Sequence, residues 1–259
     1  MAKPATLITG ASGGIGLALA EIYAKNSHPL ILVARSEDTL TEIAARLQKR
    51  YDIPVKPIAL DLSAPGATAE LYSQLAADQT PIDQLINNAG FANYGTFHSI
   101  PTDRQLDLID LNIRVLTDLS QRFIPILLQF PNSRLVNVAS TAAFFPGPHM
   151  AAYYASKAYV LSLSEALAEE YRTTHLAVCA LCPGPTKTGF QDRAQMQRSR
   201  LMQGQFMTAD QVAHAAYLGI QSGDPIIIPG TMNRFLTWLP RIMPRTALAR
   251  IIAGAQEPV

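Results

Sequence analysis

The sequence predicts an α/β fold in which a mostly parallel β-sheet is covered by helices on both faces. Short apolar runs alternate along the 259 residues with longer amphipathic segments, as in a series of strand–helix–strand units. The apolar runs are nearly continuous rather than alternating with polar residues, which is typical of strands buried on both faces. Hydrophobic residues make up 48% of the chain and charged residues 16%, so one large core can form. We therefore expect a single domain over residues 1–259, without a linker or an internal repeat.

The short apolar runs predict seven strands, and the amphipathic segments between them predict six helices. The predicted strands are residues 5–9, 30–34, 55–60, 84–87, 134–139, 176–181 and 225–228. The predicted helices are residues 14–25, 36–49, 68–77, 102–128, 153–173 and 209–221.

Capping residues support three of the helix starts. Thr102 with Gln105, and Thr208 with Gln211, place a hydroxyl at the N-cap and a glutamine three residues later, which is the pattern of a capping box. Ser36 alone could cap the second helix.

Charge, hydropathy and cysteine content exclude several classes of protein. The 21 basic and 20 acidic residues leave no electrostatic footprint for nucleic acid. No apolar run is long enough for a membrane span or a secretory signal, so we expect a cytoplasmic protein. Cys179 and Cys182 form a C-x-x-C pattern, but residues three apart on a buried strand point to opposite faces. We expect them to pack in the core, and we expect no metal site.

A glycine-rich segment, residues 9–16, lies between the first strand and the first helix. Glycines at this place allow a tight turn and let the backbone approach a pyrophosphate at the positive end of the helix. A glycine cluster alone is weak evidence, but its position in an alternating α/β chain indicates a nucleotide site. The spacing is T-G-x-x-x-G-x-G, through Thr9, Gly10, Gly14 and Gly16.

Tyr153 and Lys157 are four residues apart on a predicted helix and therefore share one face. A free phenol has a pKa near 10, and a neighbouring ammonium is expected to lower it. Tyr153 could then donate a proton to a carbonyl oxygen or accept it in the reverse reaction. Ser140 ends the fifth strand, where its hydroxyl could orient the substrate oxygen. Taken singly, a Y-x-x-x-K pattern usually marks a helix surface and a strand-end serine is usually a turn residue.

Together these motifs resemble those of short-chain dehydrogenases/reductases, over essentially the whole chain. The matching residues, in the order of that family, are the glycine loop, Asp61-Leu62, Asn87-Asn88-Ala89-Gly90, Asn112, Ser140, Tyr153-x-x-x-Lys157 and Pro183-Gly184. The resemblance implies a Rossmann-like, doubly wound parallel sheet of about seven strands. It implies an oxidoreductase that transfers a hydride between a nicotinamide and a carbonyl or alcohol carbon, assembled as a homodimer or homotetramer.

The same resemblance implies four catalytic residues and a set of cofactor contacts. The catalytic residues are Asn112, Ser140, Tyr153 and Lys157, where Asn112 disturbs its helix and holds a water that links Lys157 to solvent. A solvent-facing Asn112 is the alternative. The cofactor residues are Thr9, Gly10, Ser12, Gly13, Gly14, Ile15, Gly16, Arg35, Asp61, Leu62, Asn88, Ala89, Gly90, Tyr153, Lys157, Pro183, Gly184, Thr186 and Thr188. Asp61 would clamp the adenine amine or serve as a cap or turn residue. The asparagine amides and the prolines could likewise serve only their turns.

The end of the second strand favours NADP(H) over NAD(H). NAD-preferring enzymes typically place an acidic residue there to bind the ribose 2′-hydroxyl, whereas this chain has Ala34 followed by Arg35. A carboxylate would repel a 2′-phosphate, and a guanidinium can pair with it. Alternatively, Arg35 is a surface charge, and Glu37 or Asp38 binds the ribose of NAD.

Aromatic and methionine side chains predict an apolar carbonyl substrate, although the same residues could be ordinary core or interface. Ser140, Phe145, Met150 and Phe190 are assigned to the substrate site. Further candidates are Phe91, Tyr94, Phe97, Phe144, Tyr154, Met196, Met202, Phe206 and Met207, with Arg193 and Arg198 as basic groups. In the family, the stretch after Thr188 is a mobile flap, here residues 189–207.

The tail, residues 231–259, is apolar with interspersed arginines. We expect it to dock on its own subunit or a partner subunit. Contact with a membrane surface is the alternative, and Pro240 and Pro244 disfavour it because they interrupt a single helix.

Two other functions remain as alternatives to an NADP(H)-dependent reductase. One is a nucleotide-sensing binding protein without activity, which would have no need of Ser140, Tyr153 and Lys157. The other is an NAD-dependent member of the same family, including a nucleotide-sugar epimerase, although such epimerases are usually longer and carry the acidic ribose partner.

Overall fold

Seven parallel strands form the central sheet in a computed structural model that describes residues 3–194, 200, 204 and 206–257. The strands are β1 (Ala5–Thr9), β2 (Leu30–Ala34), β3 (Val55–Ala59), β4 (Ile82–Asn87), β5 (Ser133–Val138), β6 (Leu176–Leu181) and β9 (Ile226–Ile227). Their order in the sheet is β3-β2-β1-β4-β5-β6-β9. The predicted fold class and all seven predicted strands are confirmed, with boundaries that differ by up to two residues.

Helices cover both faces of the sheet, as predicted. The helices are α1 (Gly14–Lys25), α2 (Glu37–Tyr51), α3 (Ala67–Ala77), α4 (Thr102–Ile109), α5 (Leu116–Leu127), α6 (Ala151–Glu170), α7 (Phe190–Arg193), α8 (Ala209–Ser222), α9 (Thr231–Trp238) and α10 (Arg245–Gln256). Successive residues of a strand pack into the hydrophobic cores on opposite faces of the sheet. Ile8 packs with α1, α2 and α8, and Leu7 packs with α3 and α5. Both side chains are fully buried. The near-continuous apolar runs therefore reflect a sheet with two buried faces.

The predicted helix over residues 102–128 is divided, which corrects the prediction. A π-helical turn, Asp110–Val115, separates α4 from α5. A helical pattern in the sequence cannot reveal one extra residue in a turn, because the apolar positions before and after it still read as helical.

Of the predicted caps, only that of α8 forms. The backbone N–H of Gln211 donates to Thr208 Oγ1 at 3.2 Å, and that of Thr208 donates to Gln211 Oε1 at 3.0 Å. The predicted box at Thr102 is wrong because the N-cap is Pro101 and Thr102 is already the first helical residue. Ser36 is an N-cap, but its hydroxyl makes no capping hydrogen bond.

The chain after β6 contains elements that were not predicted. Two short parallel strands, β7 (Thr186–Lys187) and β8 (Met207–Thr208), pair with each other. The tail forms α9, a 3₁₀ turn (Leu239–Arg241) and α10, so the prolines do prevent a single helix. In the part of the chain that the structure describes, no helix is long and apolar enough to cross a membrane.

Cys179 and Cys182 are buried and not bonded to each other, as their predicted core position requires. Burial raises the pKa of both thiols to about 12, so both are protonated at neutral pH.

Candidate active site

A cavity of about 1290 Å³ lies at the carboxyl ends of the central strands. It includes the point where the strand order reverses, between β1 and β4, which is where open α/β sheets bind ligands. Most of the residues predicted to bind the cofactor or act in catalysis border it: Gly10, Ser12, Gly13, Gly14, Ile15, Arg35, Asp61, Leu62, Asn88, Ala89, Gly90, Ser140, Tyr153, Lys157, Pro183, Gly184, Thr186 and Thr188. The remaining three, Thr9, Gly16 and Asn112, are not among the described residues on its border.

The glycine loop needs its glycines for shape. Gly10 and Gly14 have φ of +65° and +56°, in the left-handed region that favours glycine. A Cβ on Gly16 would lie 2.4 Å from the carbonyl oxygen of Gly10, so no larger residue fits behind the loop. α1 begins at Gly14, which borders the cavity. The unpaired backbone N–H groups of the first helical turn therefore lie at the cavity wall. This arrangement can hold an anion by hydrogen bonds and the helix dipole.

Thr9 and Asn88 tie the glycine loop to the end of β4. Thr9 Oγ1 accepts hydrogen bonds from the backbone N–H groups of Asn88 at 2.9 Å and Ala89 at 3.0 Å. Asn88 Nδ2 donates to the carbonyls of Thr9 at 2.9 Å and Gly10 at 3.2 Å. Thr9 and the Asn88 amide thus hold two segments of the cavity wall together. For Asn88 this agrees with the alternative that its side-chain amide serves the turn.

The far end of the cavity is bordered by Arg35 and Asp61. Ala34 is buried at the end of β2, and Arg35 follows it as an exposed residue on the border. Glu37 and Asp38 begin α2 and are not among the described border residues. Asp61 Oδ1 accepts a hydrogen bond from the backbone N–H of Ser63 at 3.0 Å, so this carboxylate serves a turn while it faces the cavity.

Ser140, Tyr153 and Lys157 meet in the middle of the cavity wall. Ser140 Oγ accepts from the backbone N–H of Ala142 at 3.1 Å and donates to the Pro183 carbonyl at 3.4 Å. Its hydroxyl also lowers the pKa of the Tyr153 phenol. Lys157 Nζ donates to the carbonyl of Val138 at 2.8 Å and lies 5.9 Å from the centre of the Tyr153 ring. Two elements, α6 and the end of β5, thus bring two hydroxyls and one amine to one place.

Burial dominates the proton affinities of this cluster. It raises the pKa of Tyr153 to about 12, against a smaller lowering by the Ser140 hydroxyl and a further rise from Tyr154. It lowers the pKa of Lys157 to about 8, because a buried ammonium loses its hydration. The pKa of Tyr153 was expected to be lowered by Lys157, whereas it is raised, because desolvation of the phenol is the largest cause and Lys157 is not among the causes.

Asn112 lies in the π-helical turn and is only 1% exposed. Its Oδ1 accepts from the backbone N–H of Phe91 at 3.1 Å, and its Nδ2 donates to the Phe91 carbonyl at 3.0 Å and to Ser156 Oγ at 3.1 Å. A Cβ on Gly90 would lie 2.9 Å from Asn112 Oδ1 and 3.6 Å from Lys157 Nζ, so both side chains converge on Gly90. The predicted helix disturbance is confirmed, and the solvent-facing alternative is wrong.

The turn after β6 approaches the glycine loop. Thr188 lies within 3.3 Å of the place where a Cβ on Gly14 would be. Thr186 is buried, and its hydroxyl donates to the carbonyl of Gly184 at 2.8 Å. Asn233, at the start of α9, packs so closely on Gly184 that a Cβ there would lie 2.5 Å from its Oδ1. Asn233 also borders the cavity and was missed, because no motif in the tail singles it out.

The other end of the cavity is mostly apolar. Phe145, Met150 and Phe190 border it, and the Phe190 ring lies 5.7 Å from that of Tyr153. Phe91, Tyr154, Phe206 and Met207 border it as well. The predicted roles of Phe97 and Phe144 are wrong, since Phe97 is 67% exposed and Phe144 packs in a separate cluster. Tyr94 packs beside this end without bordering it. Met196, Met202, Arg198 and the side chain of Arg193 lie outside the described residues.

Residues of the tail form the rest of this apolar wall, and this contribution was not predicted from the sequence. Leu236, Leu239, Met243, Leu248, Ile251, Ile252 and Gln256 border the cavity. Gln256 is 1% exposed and its Nε2 donates to the Tyr154 hydroxyl at 2.8 Å, while the Tyr94 hydroxyl donates to the Gln256 carbonyl. The tail therefore docks on its own subunit, one of the two expected placements. Among the described residues, no group of His, Cys, Asp or Glu side chains could hold a metal ion.

The sequence and the fold are similar to those of known dehydrogenases and reductases. The sequence profile of the short chain dehydrogenases matches residues 4–199. A short-chain dehydrogenase from Sphingobium yanoikuyae, solved in complex with NADPH, is 32% identical, with a TM-score of 0.82 over 93% of this chain and 97% of its own. A bulky-bulky ketone specific alcohol dehydrogenase from Comamonas testosteroni is 28% identical, with a TM-score of 0.78 over 93% and 95%. A very-long-chain 3-oxoacyl-CoA reductase from Anas platyrhynchos is 27% identical over 98% of this chain and 80% of its own.

Proposed function

The chain belongs to the short chain dehydrogenase family, and from this premise we propose that it is an NADP(H)-dependent oxidoreductase acting on apolar ketones or aldehydes. The observation that carries the proposal is the meeting of Ser140, Tyr153 and Lys157 on the wall of one cavity. These groups can hold and protonate a carbonyl oxygen. The cavity extends from them to Arg35 on one side and to the apolar tail on the other.

The residues of the cavity fit a nicotinamide dinucleotide. The glycine loop offers backbone N–H groups at the start of α1 to a pyrophosphate, and a Cβ on Gly13 would meet only open space. Asp61 and Leu62 would hold the adenine, and Thr186 and Thr188 would hold the nicotinamide amide; all four border the cavity. When bound, the dinucleotide supplies or accepts the hydride.

The 2′-phosphate of NADP(H) is the partner that Arg35 suits. Its guanidinium can bind a phosphate through two parallel hydrogen bonds. Arg35 borders the cavity, whereas Glu37 and Asp38, the residues that would serve a ribose 2′-hydroxyl, are not among the described border residues. The similar enzyme from Sphingobium yanoikuyae was solved with NADPH.

The proton chemistry belongs to Tyr153. With a pKa raised to about 12 by burial, its phenol is protonated at neutral pH, which is the form that donates to a substrate oxygen. Ser140, which borders the same cavity, orients the same oxygen. Lys157 holds a proton close to the phenol ring and is fixed by the Val138 carbonyl. Asn112 positions Lys157 through the backbone of the Gly90–Phe91 segment.

The substrate we propose is a bulky, apolar carbonyl compound. The wall beyond Tyr153 is formed by Phe145, Met150 and Phe190 together with Leu248 and Ile252 of the tail. Two similar proteins are named for a bulky ketone and for a very-long-chain 3-oxoacyl-CoA. We also propose a homodimer or homotetramer as the assembly and a cytoplasmic location. The predicted flap, residues 189–207, stays a proposal, since residues 195–199, 201–203 and 205 lie outside the described part of the chain.

Substituting Tyr153 tests the reaction. Tyr153→Phe should lower the turnover of a panel of apolar ketones by about a hundredfold to ten-thousandfold, which is the usual contribution of a positioned acid. NADPH absorbance measures turnover, and calorimetry should find NADPH affinity unchanged. Tyr159→Phe is the matched control, because Tyr159 lies on the same helix with its hydroxyl on Thr117. Near-normal turnover by Tyr153→Phe ends the assignment, and a wild type that binds NADPH but reduces no carbonyl is a sensor.

Cofactor choice is tested separately by kcat/KM with NADPH and NADH. We expect NADPH to be preferred, and Arg35→Ala to lower kcat/KM for NADPH by about tenfold or more, since hydrogen bonds to charged groups contribute about 1.5–3 kcal/mol. The value for NADH should change little. A wild type that prefers NADH would refute the role of Arg35 and identify an NAD-dependent member of the family.

A further inference from the structure

The apolar face of α9 is turned toward solvent. Thr237 is buried at 5% exposure, whereas Met232, Phe235 and Trp238 are 67%, 59% and 49% exposed. With about 3.6 residues per turn, these three side chains share the side of the helix opposite Thr237. A surface helix normally buries its apolar stripe against the core, so an outward stripe indicates an interaction.

Other exposed apolar side chains lie in the same tail, and some of them border the cavity. Leu236 is 41% exposed, Ile242 after the 3₁₀ turn is 62% exposed, and Ile251 on α10 is 55% exposed. We call Met232, Phe235, Leu236, Trp238, Ile242 and Ile251 the tail face. Three of its members, Met232, Leu236 and Ile251, also border the cavity. The tail face therefore begins where the apolar end of the cavity opens.

The helices of the tail carry charge of a single sign, and Glu257, which follows them, pairs with Arg200. Residues 231–256 contain four arginines and no acidic residue, although the whole chain has 21 basic and 20 acidic residues. Arg234, Arg241, Arg245 and Arg250 are all exposed. Within the described residues, none of the four forms an ion pair. Arg234 Nε donates to the Ile228 carbonyl at 3.0 Å, which carries no formal charge, so all four guanidinium charges can still attract an anionic partner.

A second copy of the chain suits this surface poorly. A symmetric contact would bring the same patch of both copies together and place arginines against arginines. An anionic membrane surface suits it better, because aromatic and aliphatic side chains enter the headgroup region while arginines bind lipid phosphates. The break between α9 and α10 does not oppose this contact, since α9 alone carries most of the face.

We propose that the tail face binds the surface of anionic lipid membranes. The binding sets the mouth of the cavity against the lipid. If the proposed reductase function holds, an apolar ketone dissolved in the bilayer then reaches Tyr153 without crossing water. The membrane contact itself does not depend on that function.

Trp238 is the only tryptophan of the chain and reports directly on the contact. The full-length protein is mixed with vesicles of phosphatidylcholine alone or of phosphatidylcholine with phosphatidylglycerol. We expect cosedimentation and a blue shift of tryptophan emission with the anionic vesicles, both reduced by salt, and neither with phosphatidylcholine alone.

Two variants with matched controls locate the contact. Phe235→Ser and Arg241→Glu should each weaken vesicle binding by about fivefold or more. Leu218→Ser changes a side chain that is 55% exposed on α8, and Lys49→Glu reverses an exposed charge on α2, so both should bind as the wild type does. Equal binding to neutral and anionic vesicles, no binding to either, or equal effects of variants and controls would overturn the proposal.

Sedimentation equilibrium and turnover distinguish a lipid contact from a contact between copies of the chain. If Phe235→Ser dissociates an oligomer and leaves vesicle binding unchanged, the face joins copies of the chain and the proposal is overturned. Vesicle binding is measured without substrate or NADPH, so its failure is distinct from a failure of the proposed reductase. Phe235→Ser should turn over a water-soluble ketone like the wild type when no vesicles are present.

Discussion

The buried ammonium of Lys157 should make the protein less stable at neutral pH than a variant with an apolar side chain there. Lys157 is 5% exposed, and burial lowers its pKa from 10.5 to about 8. Among the described residues, no carboxylate pairs with it. Its ammonium donates a hydrogen bond to the Val138 carbonyl, which carries no formal charge. The perturbation that tests this is Lys157→Met, which keeps an unbranched side chain one atom shorter and removes the charge.

The magnitude follows from the two pKa values. Each pKa unit corresponds to about 1.4 kcal/mol, so the lowering represents about 3 kcal/mol of destabilisation that is fully present below about pH 8. Between about pH 8 and 10.5 the unfolded chain binds more protons than the folded one, so the free energy of unfolding rises with pH. Lys157→Met also loses the hydrogen bond to Val138, which contributes about 1 kcal/mol. At pH 7 the variant should therefore gain about 2 kcal/mol, or about 5 °C in Tm.

Urea unfolding of the wild type and Lys157→Met, followed by circular dichroism without cofactor, measures the difference. The advantage of the variant should shrink as the pH rises from 7 toward 10. Lys49→Met, at an exposed position of α2, is the control and should change stability little at any pH. A variant that is less stable than the wild type at pH 7, or an advantage that does not depend on pH, would refute the reasoning. Turnover should be lost in the variant, which separates stability from function.

Three further outcomes follow from local structure. Gly16→Ala should weaken NADPH binding by tenfold or more in calorimetry, because the new Cβ would lie 2.4 Å from a backbone carbonyl of the loop; unchanged affinity would contradict the packing. Thr208→Ala should lower the free energy of unfolding by about 1 kcal/mol through loss of the cap, and Thr102→Ala by much less. Cys179 and Cys182 should resist thiol reagents in the folded protein and react after unfolding, and rapid labelling of the native state would count against their burial.

The sheet and most helices could be predicted because each strand or helix has its own pattern of apolar residues in the sequence. A parallel sheet covered on both faces requires uninterrupted apolar strands, and β1 and β2 were predicted with the boundaries that they have. The convergence of Ser140, Tyr153 and Lys157 on one cavity could be predicted because the family resemblance places them at the end of a strand and the start of a helix. By contrast, the π-helical turn at Asn112 depends on hydrogen bonds to the backbone of Phe91, twenty-one residues away. Such contacts have no signature in a helical pattern.

The pKa of Tyr153 could not be predicted from the sequence, because it also depends on residues that only packing brings close. The i,i+4 spacing of Tyr153 and Lys157 predicts that the two groups are close, and they are. Spacing does not give the desolvation of the phenol, because that depends on neighbours such as Phe190 and Tyr154 that come from packing. Burial then raises a pKa that proximity alone was expected to lower.

The tail shows the limit of periodicity most clearly. The pattern of apolar residues in α9 states which side chains share a face, but it does not state whether that face turns inward or outward. An inward face would have made Phe235 and Trp238 part of the cavity wall, whereas the structure exposes both and gives the wall to Leu236, Leu239 and Met243. The sign of the surrounding charge distinguishes the two cases, because arginines without acidic partners are costly in a core and useful at an anionic surface. Charge asymmetry within a segment is thus the sequence signal that favours an outward face over an inward one.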